Sequence, residues 1–275
     1  MMRFISTSFY LLTFMTALSC SSDSEMPERY GKVSSELFLS EGIKQPLVVG
    51  LGGSEGGNAW ASDRWKTARE KFTSNGYAFL ALEYFGGPTT PEALDRISID
   101  SVFKAIKEAA MHPQIDAEWI AIVGGSKGAE LALLMASHYS DIDCVVAMVP
   151  GYASFPALTM GANTSSWTYQ NKEVTFVPMP WAAVPDAIAH DLRGAFTTMI
   201  EDSAAVEAAR IRIANIQGPI LFVSAREDEM WPSSEMSDDM MAYLKAHQFP
   251  FAYAHITDPG GHVEVFDYFD DVVKF

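Results

Sequence analysis

The stretch WIAIVGGSKGAELALLMASH, Trp119 to His138, decides the fold. Trp119 to Val123 is apolar and rich in β-branched side chains, the composition of a strand buried on both faces. Ser126 to His138 is rich in Ala and Leu and reads as a helix. The join, Gly124-Gly125-Ser126-Lys127-Gly128, fits G-x-S-x-G in a strand–turn–helix setting. Such a turn is sharp and strained, so the positions flanking the serine must lack bulk, and Gly124 and Gly128 meet that need. Ser126 then projects from the strand end at a helix N-terminus, where the helix dipole favours developing negative charge.

The same rhythm continues on both sides. Strands are expected at Ser34–Leu39, Pro46–Leu51, Tyr77–Leu82, Cys144–Val149, Pro219–Ser224 and Phe251–Ile256. Helices are expected at Trp60–Ser74, Pro91–Met111, Ser233–Ala246 and Val263–Lys274. Apolar strands alternating with helices define an α/β fold, a mostly parallel central sheet with helices on both faces. The stretch at about 152–209, after the strand Cys144–Val149, breaks the rhythm. It is long, aromatic and poorly periodic, and long insertions of this kind are often functional lids.

A serine hydroxyl needs a base, and the base needs an acid to orient it. In a sheet of this type the order is Ser, then Asp or Glu, then His. Asp228 follows the strand Pro219–Ser224 and is the expected acid, with Glu227 and Glu229 as rivals. His262 follows the last strand in Asp258-Pro259-Gly260-Gly261-His262 and is the expected base, with His255 as rival. The backbone N–H of Lys127 is the first expected oxyanion donor. The second is expected from the glycine cluster Gly52 to Gly57, at Ser54. That cluster lacks the Gly-Lys-Ser/Thr ending of a phosphate loop and the G-x-G-x-x-G of a dinucleotide site. No His/Cys cluster has zinc spacing. No metal or organic cofactor is expected.

Hydrophobic residues make up 48% of the 275 residues and charged ones 20%, which excludes a largely disordered chain. The formal net charge of −16 argues against nucleic acid as a partner. The start of the chain, 1–19, has one basic residue and a short apolar run, as in a secretory signal peptide. Thr16 to Cys20 resembles a bacterial lipobox, with Cys20 as the lipid attachment point and 20–33 as a polar tether. The expectation is an exported, bacterial envelope protein held at the membrane by that lipid. The catalytic domain would be 34–275. Cys144 reads as a small core residue.

With these residues placed, the chain resembles the C-terminal domain of the bile-acid-CoA:amino-acid N-acyltransferase and acyl-CoA thioesterase family. The resemblance is carried by PLVVGLGGSEGG (Pro46–Gly57), NGYAFLALEYFG (Asn75–Gly86), HPQID (His112–Asp116), IAIVGGSKGAELAL (Ile120–Leu133), GPILFVSAREDEMWPS (Gly218–Ser233) and PGGH (Pro259–His262). It implies an α/β-hydrolase fold and a triad of Ser126, Asp228 and His262. The amino-acid-conjugating branch uses a cysteine nucleophile, whereas Ser126 resembles the hydrolytic branch. The animal members carry an N-terminal β-sandwich that 20–34 leaves no room for. The expected function is hydrolysis of a small acyl ester or thioester through an acyl-enzyme, acyl-CoA being implied by the resemblance alone. Tyr84, Phe85 and the aromatic insertion are expected to line an acyl pocket. Alternatives are acyl transfer to an amine or hydroxyl, and a catalytically silent binding protein on the same scaffold.

Overall fold

The computed structural model describes residues 25–275. Its strands are β1 (Ser34–Phe38), β2 (Gln45–Leu51), β3 (Ala78–Glu83), β4 (Ile97–Ser98), β5 (Ile115–Gly125), β6 (Cys144–Met148), β7 (Trp167–Tyr169), β8 (Lys172–Glu173), β9 (Ile220–Ala225) and β10 (Tyr253–Asp258). The α-helices are α1 (Lys66–Thr73), α2 (Ile99–Ala110), α3 (Lys127–His138), α4 (Val184–Ile188), α5 (Leu192–Ile200), α6 (Ser203–Ala209), α7 (Ser233–Ala246) and α8 (Phe269–Val272). Seven strands form one sheet in the order β1-β3-β2-β5-β6-β9-β10, and β4, β7 and β8 form a small second sheet. In the large sheet β1 runs antiparallel to β3, and every other pairing is parallel.

Side chains alternate across this sheet, so each strand feeds two cores. Leu47, Val49, Leu80, Ile122, Val145 and Phe222 point to one face, where α2, α3 and α7 cover them. Val48, Phe79, Val123, Val146, Leu221 and Val223 point to the other, closed by α1 and the C-terminal segment. In β2, β3, β6 and β9 both faces are largely buried, which is why these strands read as apolar runs rather than as alternating ones. Because the strands after β1 are parallel, the loops after β2, β5, β9 and β10 all open at one carboxyl edge. That edge is where open α/β sheets bind ligands.

Three expected helices are shorter than their apolar patterns suggest. Trp60–Ser74 begins as two 3-10 turns, Ala59–Ala61 and Asp63–Trp65, separated at Ser62 by an extended residue with ψ 161°. This break lets Trp60 and Trp65 come together at 5.0 Å, while the buried Arg69 guanidinium donates to the Trp60 carbonyl. Pro91–Met111 becomes helical only at Ile99. Ser98 caps α2 by accepting from Ser101 N at 3.1 Å, and Arg96 at φ 49° stops the helix from extending backward. Val263–Lys274 is a 3-10 segment, Glu264–Tyr268, followed by α8. The three-residue repeat of a 3-10 turn brings Phe266 and Phe269 to the same side, where both meet Trp65 edge-on.

Residues 25–33, expected as part of a tether, dock on the body. Arg29 donates to the Gly87 and Pro88 carbonyls, and Tyr30 Oη lies 2.8 Å from Thr168 Oγ1. The expected signal segment and Cys20 lie outside the described residues. Among the described residues, no helix is long and apolar enough to cross a membrane.

Candidate active site

Ser126 sits between the last residue of β5 and the first of α3, with φ 56° and ψ −121°. A non-glycine residue at positive φ is strained and persists only where its surroundings hold it. Here Ser126 N donates to Met148 O at 2.9 Å on the neighbouring strand, and Ser126 O accepts from Ala129 N at 3.0 Å. The flanking glycines are sterically required. A β-carbon on Gly124 would overlap the Gly128 carbonyl, and one on Gly128 would overlap the carbonyl oxygens of Leu51 and Gly52. The start of α3 therefore rests directly on the end of β2.

The loop after β2 lies against the serine. A β-carbon on Gly53 would come within 3.1 Å of Ser126 Cβ and 2.9 Å of Glu55 Oε2. Ser54 lines the same opening. Lys127 sends its side chain the other way. It is fully buried, with Nζ 2.7 Å from Glu130 Oε2. Burial pushes the Lys127 ammonium below the usual lysine range, an effect the Glu130 carboxylate opposes without reversing.

Asp228 and His262 come together from two neighbouring strand ends. His262 Nδ1 lies 2.8 Å from Asp228 Oδ1, which also accepts from Met230 N at 2.9 Å and Trp231 N at 3.2 Å. Asp228 is fully buried, and its Oδ2 has no hydrogen-bond partner among the described residues. A carboxylate at Nδ1 makes that nitrogen the donor and leaves Nε2 as the basic lone pair. His262 N donates to Glu229 Oε2 at 2.9 Å, and Trp231 meets the imidazole edge-on at 5.4 Å. Of the rivals, Glu229 thus holds the histidine backbone rather than its ring. His255 lies within β10, with Nε2 2.6 Å from Ser224 Oγ and Nδ1 3.1 Å from Asp238 Oδ1.

Ser126 and His262 line one cleft of about 400 Å³. No hydrogen bond joins Ser126 Oγ to the imidazole among the described residues. In enzymes this contact often forms only once substrate is bound. The walls are Gly52 to Glu55, Trp60, Trp65, Met230 and Phe266. These aromatic side chains come from the turns before α1 and from the C-terminal segment.

The expected acyl-pocket residues are elsewhere. Tyr84 and Phe85 are buried in the core beneath the glycine loop and do not line the cleft. The Tyr84 hydroxyl donates to the Gly52 carbonyl, and Phe85 O accepts from Gly57 N at 2.9 Å. Burial, then the charges of Glu55 and Glu130, push the Tyr84 phenol well above its ordinary range, so it stays a donor. Nor does 152–209 wall the cleft. It packs behind the site: Arg193 on α5 donates to Asp228 O at 2.7 Å and to Glu235 Oε1 at 2.6 Å, and Phe196 meets Trp231 edge-on at 5.2 Å. The cleft-lining Trp60 and Trp65, and Arg193, carry no motif that singles them out in the sequence. Glu55 and Trp231 lie inside the quoted motifs.

The sheet order, the strained serine after β5 and the histidine–aspartate pair after β10 and β9 define an α/β-hydrolase fold. The likeness to the solved structure of Est1E from Butyrivibrio proteoclasticus with ferulic acid bound agrees at the level of fold. It has a TM-score of 0.55 and 17% identity, covering 89% of this chain and 94% of that one. Residues 101–270 match the family model described as BAAT / acyl-CoA thioester hydrolase C terminal, and the chain belongs to that family. Among curated proteins of Mus musculus it is similar to acyl-coenzyme A thioesterase 6, with 28% identity over 81% of this chain and 49% of that one. It is also similar to peroxisomal succinyl-coenzyme A thioesterase, with 25% identity over 81% and 50%. A third relative is acyl-coenzyme A amino acid N-acyltransferase 1, with 26% identity over 79% and 48%. The chain spans about half the length of these relatives. They overturn one expectation, the exported, lipid-anchored bacterial envelope protein. These relatives are mouse proteins, one of them named as peroxisomal, and a further mouse relative is named as mitochondrial.

Proposed function

We propose that the protein is a serine hydrolase that cleaves an acyl ester or thioester, with 34–275 as its catalytic domain. Ser126 is the nucleophile, His262 the general base and Asp228 the group that orients it. Ser126 Oγ attacks the acyl carbonyl carbon while His262 Nε2 takes its proton. The negative charge on the carbonyl oxygen is held by the backbone N–H groups of Lys127 and Ser54, each such donor being worth ~2.7–4 kcal/mol in the transition state. Collapse of the intermediate breaks the bond to the leaving alcohol or thiol, which receives the proton from His262. Water, deprotonated by the same imidazole, then releases the acid and regenerates Ser126.

The observation that carries this reading is the 2.8 Å contact of His262 Nδ1 with the buried Asp228, on a ring that opens onto the same cleft as Ser126. The family membership supports the reaction class. The test is a panel of acyl esters and thioesters of graded chain length, assayed with wild type, Ser126→Ala and His262→Ala. Turnover by wild type and none by either variant is expected; turnover by Ser126→Ala removes the reading.

A second reading, acyl transfer to an amine, is favoured by the similarity to the N-acyltransferase. Turnover in the presence of candidate amino-acid acceptors, with mass spectrometry of the products, separates the two. Free acid alone supports hydrolysis, and conjugates support transfer.

A further inference from the structure

Glu130 lies three residues after Lys127 on the first turn of α3 and is completely buried. Both carboxylate oxygens are engaged. Oε2 accepts from Lys127 Nζ at 2.7 Å, and Oε1 accepts from Trp167 Nε1 at 2.6 Å, Phe155 N at 3.1 Å and Ser154 Oγ at 3.2 Å. The Lys127 ammonium also lies 5.5 Å from the centre of the Trp167 ring. All the partners besides Lys127 come from the excursion after β6.

A buried ion pair is a poor way to gain stability, because desolvating two charges costs several kcal/mol apiece and apolar side chains would fill the space as well. What this pair does supply is geometric constraint. Lys127 follows the strained Ser126, and its backbone N–H is the proposed oxyanion donor. The Lys127–Glu130 contact closes around the first turn of α3. Trp167, Phe155 and Ser154 then fasten that turn to a segment anchored on β6, the strand whose Met148 carbonyl holds Ser126 N. The strained residue is thereby gripped from two sides.

We propose that Glu130 is a positioning residue for the nucleophile, acting through Lys127, and that the excursion Tyr152–Ala209 serves as a buttress for the catalytic groups and not as a lid. This rests on Ser126 being the nucleophile. A displacement of about 1 Å in a reacting group costs up to ~100-fold in rate, so modest loosening is readable in kcat.

Two variants test the proposal. Trp167→Phe keeps an aromatic side chain, smaller than the indole, and removes the shortest bond to Glu130. Lys127→Met combined with Glu130→Leu removes both charges, so that neither is left buried alone. Each is measured for kcat, KM, the rate of labelling by a fluorophosphonate and thermal midpoint, beside wild type and Ser126→Ala. The expected result for Trp167→Phe, assayed well below the midpoint that the smaller ring lowers, is a kcat and labelling rate lower by about tenfold with KM within about twofold. The double variant, if folded, shows the larger fall. Wild-type kcat in Trp167→Phe, or a fall in activity that only follows a fall in midpoint, overturns the positioning role. Labelling of Ser126→Ala at the wild-type rate removes the nucleophile and the inference together. An unlabelled Ser126→Ala beside a fully active Trp167→Phe removes the inference alone.

Discussion

Gly128→Ala adds one methyl group where the start of α3 rests on the end of β2. The new β-carbon would overlap two backbone oxygens, those of Leu51 and Gly52, and neither can swing aside as a side chain could. The Gly52 carbonyl is itself held by the Tyr84 hydroxyl, so the end of β2 and the start of α3 must separate as units. Over-packing of this kind costs roughly 1–3 kcal/mol, and a double backbone clash belongs at the top, about 3 kcal/mol. With a urea dependence of ~2 kcal/mol per molar, the unfolding midpoint falls by about 1.5 M. The functional loss is larger than that stability loss implies. The methyl drives the glycine loop away from Ser126, and misplacing the oxyanion donors by about 1 Å lowers the acylation rate by up to ~100-fold in the molecules that remain folded. The assay pairs a urea titration with the second-order rate of fluorophosphonate labelling under native conditions. A variant with the wild-type midpoint and the wild-type labelling rate would refute the claim that glycine is needed there for close approach.

Tyr84→Phe keeps the packing of the ring but removes the donor to Gly52, and it should lower kcat severalfold, about 1 kcal/mol, with KM unchanged; a change in KM alone would instead mark Tyr84 as a substrate contact. Burial lowers the His255 pKa, with Asp238 opposing, so the folded protein binds fewer protons there than the unfolded chain. That contribution to stability is complete above the unfolded value of about 6.5 and declines as pH falls through it, so His255→Gln should shrink the loss of thermal midpoint between pH 7 and 5. Equal losses in variant and wild type contradict this. Glu55 and Glu229 face the cleft, with Arg64 as the cation among its lining residues. A neutral acyl-N-acetylcysteamine thioester should therefore be cleaved about tenfold more efficiently than the CoA thioester of the same acid, and a preference for CoA would contradict the argument.

The parts legible in the sequence share one property, that backbone geometry restricts composition. The run Ile120 to Val123 is apolar because both faces of the sheet are covered there, whereas Trp119 before it is exposed. Gly124 and Gly128 must be small because other backbone lies against them. Asp228 and His262 stand just past strands whose parallel order sends their loops to one edge. What was not legible depends on which way a side chain turns. Tyr84 and Phe85 follow β3 at the correct edge, and an aromatic pair there suggests a pocket, but both turn inward to brace the glycine loop. Residues 152–209 lack periodicity because their partners, Glu130 on α3 and Asp228 and Trp231 in the loop after β9, belong to two separate segments and not to one continuous face. On the expected helix Trp60–Ser74, Trp60 and Trp65 would stand about 140° apart, whereas the extended Ser62 folds them together into a wall of the cleft.

The central claim is that Ser126 Oγ forms the covalent acyl-enzyme. The most direct measurement is mass spectrometry of peptides from protein quenched during turnover of a slow ester, or after fluorophosphonate treatment. A single adduct on the peptide containing Ser126 is expected, formed far more slowly in His262→Ala. An adduct on Ser54, Ser224 or any other residue, or an unchanged rate in His262→Ala, would contradict it.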